Sequence, residues 1–280
     1  MDIRNTIEKA SIFLKEKNIK SYLIDSELLL SKVISKDRKY IILNHNKSLE
    51  KSIINSFNEL VKQRSLGKPV AYLLGKKFFW KDEFKVNNDV LIPRPDTEII
   101  VEQVLKITKN KSNLRILDIG VGSGCILLSI LREKNKFSGV GIDISKKSLN
   151  ICKINTHKLK LAKRVKFFKS DIDNFNYGKY DLIISNPPYI NKFDLKYLDK
   201  DVIDYEPKHA LDGGLDGLSE IRKVINKSSE LIKIKGLLIL EIAFDQRKKV
   251  EKLLRKKGFY INKIIKDYSN NDRCIVCTKI

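Results

Sequence analysis

Between Arg115 and Asp143 the sequence alternates strand, glycine turn, helix and strand. Ile116-Leu-Asp-Ile119 is an apolar run of strand length, and Gly120-Val-Gly-Ser-Gly124 is a turn. Cys125 to Leu131 opens a helix, and Gly139-Val-Gly-Ile-Asp143 is the next strand. Two strands joined through a helix lie parallel, and such crossovers are right-handed. The unit therefore commits the chain to an open, mostly parallel α/β sheet. Gly120, Gly122 and Gly124 allow a tight turn and a close approach of backbone to ligand. Asp143, 23 residues beyond Gly120, ends the second strand, where its carboxylate can accept from both hydroxyls of a ribose.

The glycine spacing also narrows the ligand. G-x-G-x-G lacks the G-x-G-x-x-G spacing of a dinucleotide fingerprint, and Asp118 sets a carboxylate just ahead of the turn, where a pyrophosphate is repelled. An ammonium or sulfonium suits that carboxylate. The reading is a nucleoside with a cationic tail, S-adenosylmethionine rather than NAD. Asp171, at the end of a third strand (165–171), can accept from an adenine amine or serve as a turn aspartate.

A fourth strand, Asp181 to Ile184, runs into Asn186-Pro187-Pro188-Tyr189. Two prolines fix two φ angles and remove two donors, so the ladder stops there. Past the strand lies a stiff mouth with one amide, one aromatic ring and free backbone carbonyls, at the end where open α/β sheets bind ligands. Such a mouth suits a planar group carrying an NH2.

The flanking chain divides by texture. Residues 1–75 carry three apolar stripes at helical spacing and read as a small helical domain, with Ser48 as a cap for the third helix. Residues 76–90 read as a β-hairpin linker, Phe78-Phe-Trp80 and Phe84-Lys-Val86 joined by Lys81-Asp-Glu83, and 91–280 as the α/β domain. Pro93 and Pro95 stiffen the backbone around Arg94, and Asp96 or Thr97 can cap the following helix. Arg94 and Glu98 are either a solvated loop residue and a first-turn acid, or a wall of the ligand site. Residues 191–217 form an unusually long connection, which favours a lid or substrate wall. After a fifth strand (236–242) and a helix, two closing strands, Tyr260–Lys266 and Arg273–Thr278, finish like a hairpin.

Composition adds limits. At 280 residues and 42% hydrophobic the chain can build a large core. It has no apolar run of membrane-spanning length and no signal-peptide core, so a cytoplasmic location and no membrane partner are expected. The charge is +22, which ordinarily points to nucleic acid, but 45 of the 56 basic residues are lysine, spread along the chain. Cys274 and Cys277 form a C-x-x-C inside an alternating strand without a partner pair, so no metal is expected. His45, His157 and His209 form no catalytic arrangement and are read as surface or packing residues.

Taken together, Ile92-Pro-Arg-Pro-Asp-Thr-Glu98, Asp118-Ile-Gly-Val-Gly-Ser-Gly124, Asn186-Pro-Pro-Tyr-Ile190, Asp201 with Glu206-Pro207, Gly213-Gly-x-Asp-Gly217 and Asn271-Asp-Arg273 make the chain resemble the protein-(glutamine-N5) methyltransferases of the HemK/PrmC family, over nearly its full length. Asn-Pro-Pro-Tyr alone is shared with methyltransferases of nucleic-acid amines; its combination with the Ile92–Glu98 segment is far more specific. Val121 stands where the family often has threonine, and Glu241-Ile-Ala-Phe244 where many members have a glycine-containing run.

The resemblance implies a seven-stranded, Rossmann-like S-adenosylmethionine-dependent methyltransferase domain, its last strand inserted antiparallel, behind a helical substrate-recognition domain. It implies S-adenosylmethionine held by Gly120, Gly122, Gly124, Asp143, Asp171 and Asn186, with S-adenosylhomocysteine as product. The implied substrate is the glutamine of the Gly-Gly-Gln loop of class 1 peptide chain release factors, methylated by a monomer. The substrate amide would meet Asn186, Pro187, Pro188 and Tyr189, with Arg94 and Glu98 nearby. Asn186, Pro187 and Tyr189 are the catalytic candidates: the Asn186 side-chain oxygen and the Pro187 carbonyl would accept the two N–H groups, and Tyr189 would pack on the flat amide.

Two rivals remain at this level. An N-methyltransferase of adenine or cytosine amines in RNA or DNA explains the motif and the charge, but residues 1–90 hold 18 basic and 11 acidic side chains without an aromatic-basic stripe. A non-enzymatic binding module would have no need for Asp143, Asp171 and Asn186 together.

Overall fold

The computed structural model describes residues 1–280, beginning with five helices: α1 (Ile3–Glu16), α2 (Tyr22–Val33), α3 (Arg38–Leu43), α4 (Lys51–Ser65) and α5 (Val70–Leu74). Asp2 caps α1 by accepting from Asn5 N at 2.8 Å, and Asp37 caps α3 from Tyr40 N at 2.8 Å. Ser48 instead forms a bridge with Asp2, and Glu50 precedes α4. The apolar stripes of these helices meet in one core around Leu14, Leu29, Leu30 and Phe57. A buried ion pair, Arg64 Nε to Asp25 at 2.6 Å, ties α4 to α2.

The hairpin follows as β1 (Lys76–Phe79) and β2 (Asp82–Lys85). Its turn lies one residue earlier than the sequence suggests: Trp80 leaves the strand with φ +57°, because Glu98 Oε1 accepts from its backbone N–H at 2.7 Å. Then come α6 (Glu98–Ile107), β3 (Arg115–Ile119), α7 (Cys125–Glu133), β4 (Ser138–Asp143), α8 (Lys146–Lys158), β5 (Val165–Lys169) and β6 (Tyr180–Ser185). The long connection carries two 3-10 turns and a short helix, α9 (Lys200–Tyr205), before α10 (Ser219–Leu231), β7 (Ile232–Glu241), α11 (Arg247–Lys256), β8 (Phe259–Lys266) and β9 (Asp272–Lys279).

The seven strands are ordered β5-β4-β3-β6-β7-β9-β8, and β9 alone runs antiparallel to its neighbours. Alternation along each strand sorts side chains to two cores. Ile116, Leu182, Ile184 and Ile239 face α6, α7 and α8; Leu117, Ile119, Ile183, Leu238 and Leu240 face α10 and α11. The same alternation separates the C-x-x-C pair: three positions apart on β9, Cys274 joins the first core and Cys277 the second, so the two thiols cannot share a metal.

The chain divides into two compact units. One comprises Met1–Lys76 with Asp199–Tyr205; the other comprises Lys77–Leu198 and Glu206–Ile280. The segment returning to the helical unit is anchored there by Tyr205, whose hydroxyl donates to Leu66 O at 3.1 Å. No helix is long and apolar enough to cross a membrane.

Candidate active site

In this strand order the chain leaves β3 on one side for β4 and on the other for β6, which makes the carboxyl ends of these strands a topological switch point. A cavity of about 440 Å³ opens there, of ligand size. It is lined by Gly120 and Gly122 beyond β3, Asp143 ending β4, Asp171 beyond β5, and Asn186, Pro187 and Pro188 beyond β6. Seven of the predicted site residues thus share one cavity. Gly124, Tyr189, Arg94 and Glu98 do not line it.

The turn after β3 is held by β4. The N–H groups of Gly120 and Val121 both donate to Ile142 O, at 3.0 and 2.9 Å. Gly122 N donates to Asp143 Oδ2 at 3.0 Å, and Ser145 N to Oδ1 at 2.8 Å. Each Asp143 oxygen keeps a lone pair for a further donor. Burial raises the pKa of this carboxyl, opposed by the two backbone donors and by His209. Gly120 has φ +77°, and a Cβ there would meet nothing within 4 Å, so the cradle is open on the ligand side. Gly124 serves packing instead: a Cβ would come within 2.6 Å of Cys152 Sγ and 2.8 Å of Leu128 Cδ1, which keeps α7 close to α8. Asp171 is exposed; it has the turn role, its Oδ1 accepting from Asp173 N at 2.9 Å, and it also lines the cavity.

Asp118 lies on β3, two residues before Gly120. It is 1% exposed, and neither carboxylate oxygen has a hydrogen-bond partner. Burial pushes its pKa up to about 8, with the nearby Asp143 adding to the rise. A buried acid below a glycine cradle, with a ribose-type acid on the next strand, fits a nucleoside bearing a cationic group, which would draw the acid to its ionised form, better than it fits a diphosphate.

At the end of β6, Ser185 Oγ donates to Ile119 O at 2.8 Å, fixing the strand end against β3. Asn186 Nδ2 then donates to Thr97 Oγ1 at 3.1 Å. Tyr189 turns away from the cavity: its ring packs on the core beside α10, and its hydroxyl donates to Glu241 Oε1 at 3.3 Å. Burial, and then the Glu241 charge, raise the Tyr189 pKa. Glu241, ending β7, is itself buried, and burial pushes its carboxyl up to about 7, against the Thr97 hydroxyl, Arg273 and Tyr189, which hold it down. Gln246 Nε2 donates to Tyr189 O at 2.9 Å and to Gly217 O at 3.0 Å, so one side chain joins the motif to the long connection.

The Ile92–Glu98 segment is built by carboxylates. Arg94 pairs with the buried Glu206, whose other oxygen accepts from Ile92 N at 3.1 Å. Glu98 is occupied with Trp80 N. Both side chains shape the segment without facing the cavity, because each already has a local partner of opposite polarity. Thr97, expected as a helix cap, makes no capping bond; a 3-10 turn over Pro95–Thr97 starts the helix and frees its hydroxyl for Asn186.

Four residues of the site escape the sequence reading. Thr97 was hidden by its resemblance to a cap, although it sits inside the specific Ile92–Glu98 segment. Glu241 carried a visible signal, an acid ending an apolar strand. Gln246 and His209, which lines the cavity, carried none.

The chain matches two family models: the PrmC N-terminal domain over residues 5–75, and a methyltransferase domain over residues 110–275. A release factor glutamine methyltransferase of Buchnera aphidicola subsp. Schizaphis graminum is 41% identical over 250 residues, covering 89% of this chain and 90% of that protein. Another, from Clostridium acetobutylicum, is 36% identical over 282 residues, covering 100% of this chain and 99% of that one. Among solved structures, a ribosomal protein L11 methylase from Lactobacillus delbrueckii subsp. bulgaricus superposes with a TM-score of 0.50 at 18% identity, covering 67% of this chain and 81% of that one; this is a likeness of fold alone.

Proposed function

The chain belongs to the release factor glutamine methyltransferase family, and on that premise we propose that it methylates the side-chain amide nitrogen of the glutamine in the Gly-Gly-Gln motif of class 1 peptide chain release factors. One observation supports this reading above the others: the Asn186-Pro-Pro corner and the Gly120–Asp143 cradle line one cavity. An amide acceptor and a nucleoside donor could meet there.

S-adenosylmethionine, when bound, supplies a methyl group made electrophilic by its sulfonium. The residues proposed to hold it are Gly120, Gly122, Asp143 and Asp171, with Gly124 acting through the packing of the turn. Asp118 contributes a buried carboxyl below them, which a bound cation would draw to its ionised form. Asn186 and Pro187 are the proposed catalytic pair. An amide nitrogen is a poor nucleophile because its lone pair is delocalised into the carbonyl. Acceptors on its two N–H groups orient that lone pair and stabilise the positive charge that builds during attack. The Asn186 side-chain oxygen and the Pro187 carbonyl can supply them. The proton leaves only as the nitrogen is alkylated, so no strong base is needed beforehand. Tyr189 has a supporting part in this scheme, setting the backbone of the motif from behind, and Pro188 forms cavity wall. Arg94 and Glu98 hold the Ile92–Glu98 segment in shape.

The helical unit is the proposed recognition domain for the factor, and the cytoplasm the proposed compartment. The test is transfer of labelled methyl from S-adenosylmethionine to purified release factor, to a factor whose motif glutamine is replaced, and to total RNA in parallel. Label on the intact factor alone is expected. Label on RNA and not on the factor overturns the reading in favour of the nucleobase-amine alternative.

A further inference from the structure

The cavity has one wall outside its motifs. Asp89, Val90 and Leu91, the strap that leads from β2 to the Ile92–Glu98 segment, line it together with Gly120, Gly122 and Asp143. The strap's own bonds fold it into a turn: Val90 N donates to Asn87 O at 3.2 Å, and Asp89 N to Asn87 Oδ1 at 3.1 Å. Its placement comes from α8. Ser148 Oγ donates to Asp89 O at 2.8 Å, and seven residues on, along the same face of the helix, Asn155 meets Lys85.

Asn155 is completely buried and uses both ends of its amide. Its Oδ1 accepts from Lys85 N at 2.7 Å and its Nδ2 donates to Lys85 O at 3.1 Å, so the side chain pairs with the end of β2 as a neighbouring strand would. An amide nitrogen carries two hydrogens, and the second bond of Nδ2 goes to Ser123 O at 2.9 Å, in the turn between Gly122 and Gly124. One side chain thus grips the start of the strap and the glycine turn together. A leucine would fill the same volume and make none of these bonds.

We propose that Asn155 is a positioning residue for the cofactor: it ties the strap to the glycine turn, so that these two walls of the cavity keep their spacing around a bound nucleoside. The inference rests on the methyl-transfer reading above and deepens it, because it makes the hairpin part of the cofactor site. Lys158, one turn further along α8, supplies a contrast. It also holds the hairpin, through Glu83 O at 2.8 Å and Glu83 Oε1 at 2.9 Å, but it bonds neither strap nor turn.

The experiment compares wild type with Asn155→Leu, Asn155→Ser, Ser148→Ala and Lys158→Ala. The dissociation constant for S-adenosylmethionine is read by calorimetry at a temperature where melts show each variant folded. Hydrogen exchange over residues 87–91 and 120–124 is read in the protein alone, and kcat and KM in methyl transfer to the release factor. Asn155→Leu should weaken cofactor binding at least about fivefold and speed exchange in both segments. It should raise the KM for cofactor more than it lowers kcat, and leave the KM for the release factor unaltered. Ser148→Ala should speed exchange in the strap alone. Lys158→Ala should stay within about twofold of wild type in affinity. An Asn155→Leu that is less stable yet binds cofactor within about twofold of wild type overturns the positioning role. So does a Lys158→Ala with the same loss as Asn155→Leu, since any tie between hairpin and helix would then serve. If Asn155→Leu does not fold, Asn155→Ser carries the same comparison, because its hydroxyl and the space beside it let water reach the freed groups. If neither folds, a Ser148→Ala with wild-type exchange and affinity overturns the role. A wild type that binds no S-adenosylmethionine overturns the functional reading instead. Exchange then decides the tie alone, and segments that the Asn155 substitution leaves unchanged refute it.

Discussion

Gln246 Nε2 donates to the carbonyl of Tyr189 at 2.9 Å, at the point where the motif would otherwise end in an unpaired buried acceptor. Its second bond, to Gly217 O at 3.0 Å, fastens the end of the long connection to the same side chain. Gln246→Leu keeps the volume and removes both donors. Two buried acceptors left unpaired cost about 2–4 kcal/mol together. The expected result is a lower unfolding midpoint in denaturant and a fall in kcat. An unchanged midpoint would show that neither bond contributes.

Asn186→Ala removes the side-chain acceptor and leaves the Gly120–Asp143 cradle intact. Cofactor affinity should stay within about threefold of wild type, while kcat falls by roughly 10²–10³, the usual loss on deleting one preorganised polar group. Single-turnover methyl transfer beside calorimetric titration separates the two quantities. Full activity in this variant would remove Asn186 from the mechanism.

Asp118 gives a pH dependence with a definite sign. Its folded pKa is raised, to about 8, so the folded protein binds more protons than the unfolded chain between the ordinary carboxylate range and that value. Stability contributed by this site is fully present at low pH and is lost as pH rises through about 8. Asp118→Asn should flatten that part of the stability profile in thermal melts from pH 5 to 9, and should weaken binding of a cationic cofactor by removing the carboxyl that can ionise beside it. A variant with the wild-type slope would rule out Asp118 as its source.

Arg94 and Glu206 test whether the Ile92–Glu98 segment is held from within. Glu206 is buried, and Arg94 is partly open to solvent, so its loss leaves a buried carboxylate with one remaining partner, the Ile92 N–H. Arg94→Ala should cost about 1–3 kcal/mol, less than a fully buried pair because water can reach the vacated side. Pairing it with Glu206→Gln should recover part of that cost in a double-mutant cycle. Additive losses in the cycle would mean that the pair is not coupled.

The strands were legible because apolar alternation and runs of four or five residues leave few other readings for stretches such as Ile116–Ile119 and Gly139–Asp143. The cradle and the Asn-Pro-Pro corner were legible because glycine and proline impose backbone geometry that few contexts override. Tertiary hydrogen bonds were not. Thr97 has the local chemistry of a helix cap, and only the fold brings it to Asn186, 89 residues away. Trp80 belongs to a strand by composition and leaves it because a carboxylate 18 residues on takes its N–H. Glu98 and Arg94 sit in a segment that sequence marks correctly as special, yet their partners are structural, which no local pattern reveals.

The return of Asp199–Tyr205 to the helical unit bears on how the chain is made. Domains generally fold as they emerge, the first-made one first. Here the helical unit draws its core from residues between Ile3 and Leu74 alone, and no residue of Lys200–Tyr205 is buried, so that core can form before the sheet is synthesised. The returning segment adds a surface contact, the Tyr205 hydroxyl on Leu66 O, to a unit already built.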